Sequence, residues 1–139
     1  MDPAEEPERD PARPDPRRIA DLYLRTMVLT AEPVRLVLSL YESAIALLDR
    51  ALESLRVRED PGPHISKAIQ ILAELDLFLD FERAPELSAA LADIYEHLQS
   101  ILAGECANPT RAGILEVGND LRILHEAWGE VRRRAHGDA

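Results

Sequence analysis

The stretch TAEPVRLVLSLYESAIALLDRALESL, residues 30–55, decides the fold class. From Pro33 onward its apolar residues return at helical spacing: Val34, Val37, Leu38, Tyr41, Ala44, Ile45, Leu48, Leu52 and Leu55 form one stripe. Leu36, Leu40 and Leu47 fall beside that stripe and widen the apolar arc. Pro33 suits the first helical position, where a missing N–H removes no bond, and Thr30 can cap or turn the chain just before it. The segment therefore reads as one long amphipathic helix.

Working outward, the same period recurs. Arg56 to Pro63 is polar and ends in Pro61-Gly62-Pro63, a helix break. A second helix is expected over residues 64–81, with Ile65, Ala68, Ile69, Leu72, Leu75 and Leu79 as its stripe. Ile71, Leu77, Phe78 and Phe81 lie off that stripe, so this helix is apolar on more than one face. Pro85, with Ala84 at the cap, opens a third helix carrying Leu87, Leu91, Ile94, Leu98 and Ile101, with Tyr95 beside them. Gly104 is positioned as its C-terminal signal, and residues 105–109 read as a loop. Ile114, Val117, Leu121, Leu124, Trp128 and Val131 form the stripe of a fourth helix, although Gly113 and Gly118 each cost about 1 kcal/mol relative to Ala. Upstream, Ile19, Leu22, Tyr23 and Met27 suggest a short helix with one apolar face.

The expected fold is all-α: an antiparallel four-helix bundle, because the connections are short, with a short extra N-terminal helical segment. The expected organisation is a disordered acidic, Pro-rich tail over 1–17, a helical domain over 18–134 and a frayed terminus over 135–139.

Composition agrees with one domain of 139 residues. Aromatic residues are only 4% of the chain, so the core is built from Leu, Ile, Val and Ala, as in helix bundles. Cys106 is the one cysteine, which excludes an internal disulfide and fits a reducing compartment. The acidic N-terminus is no signal peptide, and no apolar run approaches the roughly 18–20 residues that cross a membrane. A net charge of −10 opposes nucleic-acid binding. Arg132-Arg133-Arg134 reads as a helix C-terminus complementing its dipole.

No catalytic, cofactor or metal set is legible, and the chain reads as a non-enzyme. Helical bundles that hold two metals use Glu-x-x-His pairs; here Ile94 and Arg122 stand three residues before His97 and His125. Asp93 and His97 lie one turn apart, which reads as an exposed polar pair. Cys106 has no neighbouring His to act as its base, and there is no phosphate-binding glycine loop. His125-Glu126 suggests a histidine phosphotransfer domain as an alternative, but the lysine and glycine expected downstream of the histidine are missing.

Several segments, in order, carry a family pattern: Tyr23, Val28-Leu29-Thr30-Ala31, Pro33, Leu36 and Leu40-Tyr41-x-x-Ala44; then Ile65-Ser66-Lys67-Ala68-Ile69-Gln70-Ile71-Leu72-Ala73-Glu74-Leu75; then Leu79-Asp80, Glu86-Leu87, Leu91-x-x-Ile94-Tyr95 and Ala127-Trp128. Over about residues 20–131 the chain resembles the FliS-like flagellar export chaperones. The resemblance implies a cytoplasmic bundle that binds the disordered C-terminal segment of newly made flagellin in apolar grooves. Premature polymerisation is then blocked, and the subunit stays ready for the flagellar type III export apparatus. Ser43 replaces the family's usual glycine, and Ala84-Pro85 replaces a Gly-rich turn. A helical adaptor for another secretion or regulatory partner is the second reading.

A helix with apolar residues on two faces leaves some exposed when it packs, and a contiguous exposed patch marks a partner site. An amphipathic partner helix lays its anchors into such a groove. The expected groove residues are Ile71, Leu75, Phe78, Leu87, Leu91 and Tyr95. Tyr23 and Met27 belong to a segment expected to fold over a groove as a lid that the client displaces.

Overall fold

The computed structural model describes residues 15–26 and 31–135. Its elements are α1 (Pro16–Thr26), α2 (Ala31–Arg56), α3 (Gly62–Asp76), α4 (Pro85–Ala107) and α5 (Arg111–Ala135). All are helices, so the expected helical bundle with a short N-terminal helix is what the chain forms. α2 packs on both α3 and α5, and α3 packs on α4. α4 and α5 touch each other less closely, and α1 packs against both of them, over their seam.

Two side-chain contacts record the antiparallel register of α2 and α5. Arg122 donates to Asp49 at 2.7 Å, and His125 Nε2 lies 3.5 Å from Glu42. Going up α2 from 42 to 49 means going down α5 from 125 to 122. The core between the helices is aliphatic: Leu48, Leu72, Leu91, Leu98 and Leu121 are all 1% exposed or less.

Local chemistry sets the ends. α1 starts at Pro16, two residues before the apolar segment begins in the sequence reading. Asp15 explains the earlier start: its carboxylate accepts the Arg17 N–H at 3.0 Å, and Pro16 occupies the first helical position. α2 begins at Ala31, so Pro33 sits inside its first turn, where N–H groups have no helical acceptor. Thr30 lies outside the described residues. α2 ends with Arg58 in the left-handed region (φ 61°) and Glu59 N–H bonded back to the Ser54 carbonyl at 2.8 Å. This is a Schellman cap with arginine where glycine is usual.

α3 departs furthest from expectation. It stops at Asp76 rather than near Phe81. Leu77, Phe78 and Leu79 bond back only three residues, to Glu74, Leu75 and Asp76, which tightens and ends the helix. Asp80 then accepts the backbone N–H of Glu82 (3.1 Å) and Arg83 (3.0 Å), and this local turn replaces helical bonds. α4 runs past Gly104 to Ala107, so Cys106 sits in its last turn, not in a loop. Pro109 forces the stop. Thr110 caps α5 by accepting the Gly113 N–H at 3.1 Å, and Glu105 in turn holds the Thr110 N–H and hydroxyl at 2.6 and 2.7 Å. The Glu105 carboxylate occupies the space a Gly113 side chain would need.

The short α3 has a structural consequence. At 1.5 Å per residue it spans about 22 Å, against about 39 Å for α2, so it covers only the C-terminal part of α2. Its register on α4 is fixed by Ser66 Oγ and Cys106 Sγ, 3.9 Å apart, and by a side-chain bond between Asp76 and Gln99. The first turns of α4, residues 85–95, therefore continue beyond the end of α3. Near that end the side chains of α2 and α4 meet across the core: the Tyr41 and Tyr95 hydroxyls are 2.6 Å apart and buried.

Candidate functional site

The structure separates the expected groove residues into two groups. Leu75, Leu91 and Tyr95 are 1% exposed and Leu87 is 7%. All four lie in the core and present no surface in this state. These four positions form core here rather than an open groove, and the reason is packing. α4 is flanked by α3, α5 and α1, so its apolar stripe is enclosed from three sides. Ile71 is half-buried against the core, and Phe78 is 41% exposed on the α3–α4 connection. Tyr23 lies on α1, but its side chain, like the whole of Met27, falls outside the described residues.

Two further features stand out. The first is α1 itself. An isolated helix of 11 residues is marginal in water, so α1 is helical because it is docked. Ile19 is its buried anchor and Leu22 packs beside it against the core. The α1 helix thus covers the seam between two longer helices, with Ile19 and Leu22 as apolar anchors among its described side chains. The apolar spacing of Ile19 and Leu22 was the available signal. The second feature is the α3–α4 connection, where Leu77 is 83% and Phe81 is 54% exposed. Both lie off the apolar stripe of the helix expected over 64–81.

Beneath these surfaces the core carries one polar cluster. Burial pushes the Tyr41 hydroxyl well above the usual tyrosine range, with Tyr95 and Trp128 offsetting part of that by hydrogen bonding to it. The rings of Tyr41 and Tyr95 are tilted at 53° with centroids 6.5 Å apart, a favourable aromatic arrangement. The cluster links α2, α4 and α5 at the level where α3 has ended.

Among the described residues no group of three or more His, Cys, Asp or Glu could hold a metal ion. Cys106 is exposed with Ser66 as its polar neighbour, and His125 faces Glu42. Among the same residues no helix is long and apolar enough to cross a membrane. What the geometry offers is apolar surface, one part of it under the short helix α1.

Comparison with known proteins agrees with that character. The family model described as flagellar protein FliS matches residues 16–135, from the first residue of α1 to the last of α5. A relative named flagellar secretion chaperone FliS, from Salmonella typhimurium strain LT2, is 29% identical over 120 residues, covering 84% of this chain and 88% of the relative.

Proposed function

Because the chain belongs to the FliS family of flagellar secretion chaperones, we propose that it binds the C-terminal segment of flagellin in the cytoplasm and delivers it for type III export. The observation that carries this reading is α1 lying across the α4–α5 seam. A short helix held there by Ile19 and Leu22 marks a groove that accepts an amphipathic helix. A client helix with apolar anchors at i, i+3/i+4 and i+7 takes the place of α1. Each Leu-sized anchor gains about 1.5–3 kcal/mol on burial in such a seam. A disordered client gives back several kcal/mol on folding. The balance leaves binding firm enough to block polymerisation and weak enough for release at the export apparatus.

The core position of Leu87, Leu91 and Tyr95 fits this scheme. They act as the supporting wall of α4, while Ile71 remains available to a further part of a wrapped client. The direct test is flagellin polymerisation followed by light scattering. An equimolar amount of the chain abolishes filament growth of full-length flagellin and leaves a flagellin lacking its C-terminal segment uncomplexed on gel filtration. Undiminished filament growth contradicts the proposal.

A further inference from the structure

The α3–α4 connection carries the largest apolar exposure described in the molecule. Leu77, Phe78 and Phe81 are 83%, 41% and 54% exposed, within five residues of one another. Leu36, on the part of α2 that α3 does not reach, is a further exposed leucine at 54%. Water contact of three large side chains so close together is unfavourable, and monomeric proteins rarely keep such patches without a partner. The position is informative too. α3 ends level with Gln99, while α2 and α4 continue. The connection therefore runs where the missing half of a full-length α3 would lie.

The charges around the patch are predominantly negative. Glu74, Asp80, Glu82 and Glu86 are exposed beside it, and Asp76 adds a fifth acid whose ionisation is opposed first by burial and also by Glu96. The basic side chain of the stretch, Arg83, is already paired with Asp80 at 3.9 Å. An acidic rim repels a second copy of a chain with net charge −10, and it repels an anionic membrane. It also repels the chain's own residues 1–14, which are acidic overall and hold no large apolar side chain besides Met1.

We propose that the Leu77–Phe78–Phe81 surface is a second docking site, distinct from the α1-covered seam, for a basic amphipathic helix of a partner protein. The partner's apolar face covers these three side chains and extends the short α3, while its Lys and Arg flanks meet Glu74, Asp80, Glu82 and Glu86. α1 packs on α4 and α5 and not on α3, so a client in the seam and a partner on this surface can bind at once. The site follows from exposure and charge and does not depend on the identity of the client.

The test uses the full chain and two fluorescent model peptides of about four helical turns. One is a leucine–lysine amphipathic helix and the other its leucine–glutamate counterpart. Fluorescence anisotropy at physiological salt is compared for the wild type and L77S/F78S/F81S, whose positions lie outside the core, so the helical fold survives with at most a modest drop in melting temperature, checked by circular dichroism. The expected result is saturable binding of the lysine peptide to the wild type, weakened at least about tenfold in the variant, with no binding of the glutamate peptide. Equal binding of the lysine peptide to both proteins means charge attraction alone and overturns the proposal. So does binding of the glutamate peptide, or sedimentation showing that the wild type dimerises through this surface.

Discussion

Replacing Ile19 by Ala separates a lid from a structural strut. Ile19 is 4% exposed and is the buried anchor of α1. The substitution removes three carbons, worth about 0.8 kcal/mol each, or about 2.4 kcal/mol in all. α1 lies at the surface and relaxes onto the gap, so the cavity contribution stays small. The closed state of α1 loses that energy, whereas the bundle of α2–α5 keeps its own core. A client that needs α1 displaced binds with an affinity lowered by the closed fraction. Weakening closure by about 2.4 kcal/mol therefore tightens client binding by up to about 60-fold, less once α1 is mostly open. Calorimetric titration with the flagellin C-terminal segment measures the gain. Hydrogen exchange checks its origin, with amides of α1 losing protection by a similar factor and those of α2–α5 unchanged. Unchanged or weaker binding, with α1 demonstrably released, refutes the lid.

Other consequences concern the scaffold. Tyr41→Phe removes the buried hydroxyl bond to Tyr95 and lowers stability by about 1–2 kcal/mol; in urea unfolding the loss for Tyr41→Phe plus Tyr95→Phe is smaller than the two single losses added. Because burial holds the Tyr41 proton more tightly in the folded than in the unfolded chain, its contribution is full below pH 10 and lost above it, so the unfolding midpoint falls as pH is raised beyond about 10. Arg58→Gly relieves a left-handed residue in the α2 cap and raises stability by about 0.5–1 kcal/mol; a lower melting temperature contradicts the cap assignment. The Asp49–Arg122 pair is exposed on both sides, so Arg122→Ala changes stability by less than about 1 kcal/mol, and added salt shrinks even that.

How much the sequence revealed depended on what each feature needed from its neighbours. The stripes of α2 and α5 were readable because a core-facing period repeats over many turns, as in Val34, Val37, Tyr41, Ala44 and Leu48, all buried. Helix ends were less readable, since they rest on single side-chain bonds. Asp80 ends α3 through its turn, and Gly104 is passed because its positive-φ option is not taken up when helix can continue to Pro109. Site residues were least readable. Leu75 and Leu77 are the same residue type two positions apart, one 1% and the other 83% exposed. Only the number of helices around each decides between core and surface. For α4 and α5 that number includes α1, whose docking onto them no periodicity encodes.

The most direct measurement of the central claim is calorimetric titration of the purified full chain with the C-terminal segment of flagellin from the same organism. The account predicts saturable binding near one to one, tightened by Ile19→Ala. No heat and no binding to that segment, by a chain shown to be helical and folded, contradicts it.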